Sequence, residues 1–387
     1  MDSPKPLPDA LNTALDSDSD LALAEDKVVI VSPLRLMWWK FRRHRIAVIS
    51  AVFLLGAYLV AIFAGFFSPY DPLARTRNLY APPQFPRFVD AEGQFHLRPF
   101  VYGLTMSREP TTLRSIYEFN TDVMYPISLF VRGAPYKILG IIESDIHLFG
   151  AEGGTIHLLG TDDLGRDMLS RVLYGSQISL SVGLVAVFLS LVLGLILGGI
   201  SGLYGGIIDS VIQRIIEAII AIPSIPLWMG LAAAIPRVWS PVEQYFAILV
   251  VLSLISWTST ARVARGKFLA LREQDFVMAA RVYGTSQWRI IIRHLIPNIM
   301  SYAIVNITLA IPGIIIAETA LSFLGIGLNP PVVSWGVLLK EAQRNIVIHF
   351  YPWMWMGPAL CVIAVVLAFN FVGDGARDAA DPFASKG

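Results

Sequence analysis

Six apolar stretches divide this sequence, and each reads as a helix that crosses a bilayer. A hydrocarbon core demands about 20 mostly apolar residues per helix, and every backbone group inside it must be paired internally. The stretches are Ile46–Phe67, Ile178–Leu203, Ile207–Ile235 (interrupted by Pro223 and Pro226), Tyr245–Trp257 running on towards Ala261, Ile299–Ile326 with Pro312 inside, and Pro352–Val372. Composition agrees. Of 387 residues, 55% are hydrophobic and 15% charged, where soluble domains carry about a quarter charged. The expected fold is an all-α membrane protein of six transmembrane helices, with an extracytoplasmic insert between the first and second.

Several function classes are excluded early. A net charge of +1 supplies no field for nucleic acid. The single cysteine, Cys361, lies in an apolar run and forms no intrachain disulfide. The six histidines, His147 and His157 among them, lack metal-ligand spacing, so no metal site is expected. The N-terminus carries "DSDSD" (Asp16–Asp20) where a secretory signal would be basic and apolar. It reads as a disordered, solvated tail.

Charge placement orients the spans. "KFRRHR" (Lys40–Arg45) precedes the first run and holds that end in the cytoplasm. The segment after the fourth run carries Arg262, Arg265, Lys267, Arg272, Arg281, Arg289 and Arg293, whereas the short outer loops carry Arg237, Lys340 and Arg344. Forcing the seven cations into lipid would cost about 3 kcal/mol each, roughly 20 in all. Both termini are thus expected in the cytoplasm of a multi-pass protein. The chain divides into an acidic tail (1–33), a basic anchor with the first helix (34–67), the insert (68–158), a core (159–373) with a cytoplasmic loop (262–297), and a cytoplasmic tail (374–387). Short alternating pieces such as "YKILGIIESDIHLF" (Tyr136–Phe149) give the insert some β character. In the second run Gly194, Gly198 and Gly202 share one helix face, a pattern that lets helix backbones approach closely.

The cytoplasmic loop is shaped as a helical hairpin. Asp275 can cap a helix carrying Phe276, Ala279, Ala280 and Tyr283 near one face. Gly284 stands where a left-handed residue ends a helix. Ser286 can cap a second helix with Trp288, Ile290, Ile291 and Arg293, and Pro297 suits the first turn of the fifth span. Physically, this knob either docks in a partner's groove or lies on lipid headgroups.

The stretch "DFVMAARVYGTSQWRIIIRHLIPN" (Asp275–Asn298) resembles the EAA loop of ABC importer permeases, in the form used by the oligopeptide and dipeptide family. Ala279, Ala280, Gly284, Arg289, Ile290, His294, Pro297 and Asn298 carry the likeness; Met278 stands where many members have glutamate. "LGTDDLGRDMLSRVLYGSQISL" (Leu159–Leu180), "ETALSFLGIGLNPPVVSWGVLL" (Glu318–Leu339) and "FNFVGDGARDAADP" (Phe369–Pro382) resemble further signatures of that family's second, C-type permease. The resemblance implies a type I importer fold, a bacterial inner-membrane location, and four kinds of partner: a second permease, one or two ATPase subunits, an extracytoplasmic binding protein, and lipid. It implies that Asp275, Phe276, Ala279, Ala280, Arg281, Tyr283 and Gly284 couple to the ATPase. It also implies no cofactor in this chain, ATP and Mg²⁺ belonging to the ATPases. The sequence agrees, for it has no GxxxxGK[ST]: Gly266-Lys267 is followed by Phe268. Peptide is the favoured cargo, with oligosaccharide, nickel or opine-like cargo as alternatives.

Glu318, Asn306 and Pro312 are candidates for the translocation path. Glu318 either meets a peptide amine or pairs with a polar group near the outer end; Asn306 and Thr308 either touch cargo or hold helices together. Glu217, three residues after Arg214, reads as a local pair. Arg377 and Asp378 form either a surface pair or a second ATPase contact. Two other classes are weighed. An intramembrane protease would use Ser201 of "GISG", but no histidine lies mid-span to serve it, since His294 is cytoplasmic and His349 at an edge. An ion-coupled transporter needs midplane coupling sites and paired broken helices, and the sequence offers only Glu217 and Glu318 with no repeat.

Overall fold

A computed structural model describes residues 33–110, 115–138, 140–151, 153–236 and 238–380. The acidic tail, Arg237 and residues 381–387 lie outside the described residues. A short helix, α1 (Pro33–Phe41), leads into α2 (Arg45–Ile62) and a single turn, α3 (Ala64–Phe67). His44 Nδ1 caps α2 by accepting from Ala47 N at 3.1 Å. The insert supplies β1 (Arg87–Val89), β2 (Phe95–Arg108), β3 (Ser115–Ile138) and β4 (Ile142–Ala151).

The core then runs through α4 (Met168–Tyr204), α5 (Gly206–Ile220), α6 (Ser224–Ala233) and α7 (Pro241–Leu271). A hairpin follows: α8 (Asp275–Val282), α9 (Gln287–Ile290), a π-helical turn (Ile291–Leu295) and α10 (Ile296–Asn298). The chain ends with α11 (Met300–Phe323), α12 (Trp335–Glu341), α13 (Asn345–Phe350) and α14 (Trp353–Ala380). Among the described residues five helices (α2, α4, α7, α11 and α14) are long and apolar enough to cross a membrane; the pair α5 and α6 makes a sixth if it counts as one span.

The structure corrects four expectations. The fold is not all-α. The four strands form one antiparallel meander in sequence order, because 87–151 alternates polar and apolar residues and cannot bury a 3.6-residue stripe. The third apolar run is two helices rather than one. α5 and α6 meet at 89°, the break falling at Ala221–Pro223 because Pro223 cannot continue a helix. Pro226, by contrast, is tolerated in the first turn of α6. The loop expected over 262–297 begins as helix: α7 runs on to Leu271, with Ala261, Ala264 and Phe268 buried while Arg262 and Lys267 face out. The tail expected over 374–387 likewise begins as helix. α14 reaches Ala380, and Ala376 and Ala379 pack with Met37 of α1.

The main core is built from one face each of α4, α7, α11 and α14, with Leu180, Val187, Leu252, Ile315 and Phe369 buried at its centre. The glycine face of α4 packs on α7. A Cβ at Gly198 would lie 2.5 Å from Ala261 O, and one at Gly202 would lie 3.0 Å from Arg265 O. Gly198→Leu is therefore expected to drive the two helices apart, at a cost of at least about 1–3 kcal/mol. Thermal unfolding of purified protein in detergent checks this; an unshifted midpoint would show that the backbones need not be so close.

The 37 residues of α4 span about 55 Å at 1.5 Å per residue, well beyond a hydrocarbon core of about 30 Å. The insert sits at its N-terminal end, where Ser170 Oγ accepts from Tyr70 N (3.3 Å) and Tyr70 Oη from Ile156 N (2.8 Å). The 272–298 hairpin sits at the other end, where Leu203 shares a cluster with Phe268, Val277 and Ile291. The two accessory structures thus occupy opposite ends of the bundle.

Candidate functional site

Three arrangements of polar or exposed groups stand out, stacked along the bundle. The first is the hairpin. Tyr283 closes α8, and Gly284, at φ +72°, reverses the chain. Thr285 N donates to Ala280 O (3.0 Å) and Gly284 N to Arg281 O (2.9 Å), the two bonds of a Schellman stop. Asp275 does not cap α8, however. The N-cap is Gln274, without a side-chain bond, and Asp275 is the first helical residue, where its charge still favours the helix dipole. Ser286 holds the N-cap position of α9, also without a side-chain bond.

The outward face differs from the one expected. Ala280 points inward with Val277, packing in the cluster of Phe268, Ile290, Ile291 and Leu295. Outside stand Phe276, Met278, Ala279 and Arg281, with Val282 and Tyr283 86% and 88% exposed. The tip is thus a small apolar knob on a rigid base. That base is continuous with α4 and α7, because Leu191, Leu195, Leu203 and Ala264 belong to the same cluster.

The second arrangement is a clamp at the hairpin end of the bundle. Arg265 on α7 donates from Nε to Asp209 Oδ1 (2.6 Å) and from Nη2 to Asp209 Oδ2 (2.6 Å). Ser201 Oγ, at the end of α4, donates to Asp209 Oδ1, and Gln213 Nε2 donates to Ser201 Oγ (3.2 Å). Ser201 therefore fastens the α4–α5 turn, and among the described residues its hydrogen-bond partners are Asp209 and Gln213, not a histidine. The sequence reading missed this clamp. The available signal was an aspartate just inside the start of an apolar run.

The third is a cleft of about 520 Å³ at the α5–α6 break, bounded by α4, α7 and α11. Its polar groups are neutral: Ser190, Ser224, Ser256, Thr258, Ser259, Thr260 and Asn306. Asn306 Nδ2 donates to Thr260 Oγ1 (3.1 Å), so it both borders the cleft and ties α11 to α7. Pro312 lies inside α11, and its neighbour Gly313 borders the cleft.

Glu318 lies elsewhere. It is fully buried and accepts from Ser322 Oγ (2.8 Å), Ser334 Oγ (2.9 Å) and Ser179 Oγ (3.4 Å). Those three hydroxyls in turn accept from Leu328 N (3.1 Å), Val337 N (3.2 Å) and Trp335 N (3.1 Å). Glu318 is the hub that holds α4, α11 and α12 together, the polar-partner alternative of the two expected. Glu217 accepts from Arg214 Nη1 at 2.7 Å on the surface, the local pair its spacing implies. Arg377 and Asp378 are both exposed.

At the insert end a buried charge network closes the bundle. Asp162 Oδ2 accepts from Arg166 Nε (2.6 Å) and Arg171 Nη1 (2.5 Å). Glu341 on α12 accepts from Arg171 Nη1 (2.6 Å) at Oε2, and from Arg166 Nη2 (3.2 Å) and Arg171 Nη2 (3.2 Å) at Oε1. Burial, together with the Asp162 and Glu341 charges, pushes the neighbouring Asp163 carboxyl above its ordinary range. His157 Nδ1 stands 3.0 Å from Asp167 Oδ1, and Asp167 caps α4 by accepting from Ser170 N (2.8 Å).

Comparison with known proteins gives a consistent result. The family described as "Binding-protein-dependent transport system inner membrane component" matches residues 190–386, and "N-terminal TM domain of oligopeptide transport permease C" matches residues 32–83. A peptide permease protein of Brucella suis is 36% identical over 265 residues, covering 68% of this chain and 84% of the relative. A glutathione transport system permease protein of Salmonella typhimurium is 33% identical over 353 residues, 91% of each chain. Its counterpart in Shigella flexneri is 32% identical over 351 residues, again 91% of each.

Proposed function

Because this chain belongs to the inner membrane components of binding-protein-dependent transport systems, and so is a permease of an ABC importer, we propose how its geometry serves that activity. The protein is a multi-pass membrane permease and a non-catalytic part of its transporter. In this reading it has six spans, α5 and α6 counting as one, with both termini cytoplasmic. The hairpin stands in the cytoplasm and the insert outside. A separate ATPase takes the apolar knob of Phe276, Met278, Ala279, Val282 and Tyr283 into a groove, with Met278 giving an apolar contact where many relatives place a carboxylate. Arg281 and Asp275 flank the knob.

The observation that carries this reading is the rigid path from knob to cleft. Val277 and Ala280 root the knob in the cluster of α4 and α7, and Gly194, Gly198 and Gly202 weld those helices together. α7 and α4 both wall the cleft, so a displaced knob tilts the wall. The Asp209–Arg265 clamp keeps the α4–α5 turn moving with α7. Cargo crosses at the α5–α6 break, where hydroxyls and the Asn306 amide can exchange hydrogen bonds with a peptide main chain without selecting side-chain charge. Relatives named for peptide and for glutathione support a short peptide as cargo. A second permease supplies the facing wall, and a binding protein delivers cargo to the outer end.

Reconstitution of the chain with its co-purifying subunits in proteoliposomes tests the proposal. Uptake of a labelled short peptide should require ATP and survive collapse of proton and sodium gradients. Uptake that follows an ion gradient without ATP would overturn it. The clamp gives a finer prediction. Lysine keeps the charge but loses the fork, so Arg265→Lys should leave subunit assembly intact while peptide moved per ATP falls. An unchanged ratio would remove the clamp from the path.

A further inference from the structure

The end of the β3–β4 hairpin carries a patch that transport through the bundle leaves unused. The two strands pair from Ile127 opposite Ala151 to Ile138 opposite Ile142. Gly140, at φ +74°, helps turn the chain. Hairpin turns in water favour polar residues, yet here Ile141 is 82% exposed and Ile142 62%. Directly behind them Lys137 Nζ pairs with Glu143 Oε1 at 3.0 Å, both side chains in the open. The tip is therefore apolar with a charged collar.

Its height along the bundle follows from contacts at the collar. The Tyr136 ring lies on Gly65, where a Cβ would come within 2.2 Å of it, and the Phe130 ring is 6.2 Å from that of Phe66. Gly65 and Phe66 belong to α3, the last turn of the first apolar run. The tip is two residue pairs further on, at about 3.3 Å each. It thus lies within about 10 Å, measured along the hairpin, of the turn that ends the first apolar run. Tyr136 presents its ring to the span and donates its hydroxyl to Ile146 O (2.6 Å), which fixes the hairpin against the end of the first apolar run. The neighbouring surface is already apolar: Leu55, Leu59 and Phe63 are exposed on the first span, as are Leu129 and Phe130 on the hairpin. Exposed apolar side chains are thus present on both elements that meet at Gly65 and Phe66.

We infer that the β3–β4 tip is seated in the outer leaflet, with Ile141 and Ile142 below the headgroups and Lys137 and Glu143 among them. The partner is the lipid surface itself. The insert then stands on two supports, the outer cap of the bundle through Tyr70 and His157 and the membrane beside the first span, and so keeps one orientation towards an incoming binding protein. This rests on the extracytoplasmic placement of the insert proposed above.

The test uses single-cysteine proteins made on a Cys361→Ser background, labelled with a polarity-sensitive fluorophore and reconstituted in proteoliposomes. Ile141→Cys and Ile142→Cys report on the tip, and Glu118→Cys, exposed on β3 away from it, is the control. Nitroxide-labelled lipid should quench both tip probes several-fold more than the control, and aqueous iodide should show the reverse order. Tip probes quenched by iodide as readily as the control would overturn the proposal. So would tip probes shielded from both quenchers, which would mark a protein contact instead. Labelling of Glu118→Cys by an impermeant maleimide, applied from either side, reads the placement separately. Reaction only from the cytoplasmic side would overturn that placement, whatever the lipid quenching shows.

Discussion

Arg171→Leu is expected to destabilise the permease more than any other single substitution in the half of the bundle that carries the insert, by about 3–5 kcal/mol, the usual cost of removing one member of a buried charge cluster. Arg171 is 1% exposed and, alone among the described residues, gives Glu341 two donors, at 2.6 and 3.2 Å, while also reaching Asp162. Without it two carboxylates lean on Arg166 alone. The damage is also topological. Arg171 lies in the first turn of α4 and Glu341 ends α12, so the network closes the bundle across 170 residues of chain. Arg166→Leu should cost less, because it leaves Arg171's three side-chain bonds to the two carboxylates, whereas Arg171→Leu leaves only Arg166's two. Tryptophan fluorescence on heating, in detergent and in nanodiscs, checks the order. Equal midpoints for Arg171→Leu and Arg166→Leu would mean the network shares its load evenly.

That network shows where sequence reading stops. Apolar runs are legible because one property, sustained over about 20 residues, settles the matter locally. The resemblance reached Asp162, Arg166 and Arg171 only as letters in one signature, and Glu341 lies just beyond the end of another. Their meeting is a property of packing, and nothing in either segment announces it. Glu318 posed a related problem. A carboxylate in an apolar run reads as a pathway group or as a structural partner, and its bonds to Ser179 and Ser334, distant in sequence, could not be read from its own segment. Pro223 marked an interruption, but no residue type encodes a bend of 89°. Ala280 was placed on the outer face because alanine suits either side of a helix. Its true side is set by Phe268 and Ile291, which wait behind it. Gly284 was legible in full, since the left-handed stop is a local backbone requirement.

Val282→Asp combined with Tyr283→Ala is expected to abolish ATP-driven uptake while leaving the fold intact. Both side chains stand almost wholly in solvent, so the exchange removes no packing from the chain itself. Surface changes of this kind shift stability by about 0.5 kcal/mol or less. In a docked complex the same aspartate would be buried without a partner, at a cost of about 3 kcal/mol or more, which is roughly 100-fold in affinity. Membrane insertion and thermal midpoint should stay at the wild-type values, and the ATPase should no longer co-purify. Gly284→Ala separates the two effects. A Cβ there meets no atom within 4 Å, so it adds no bulk against the chain, but it strains a φ of +72° by about 1–2 kcal/mol. If the knob acts by docking, the double variant loses the ATPase and Gly284→Ala only loosens the turn. If both variants lose stability together and keep the ATPase, the hairpin is a structural cap and the point of coupling lies elsewhere on the chain.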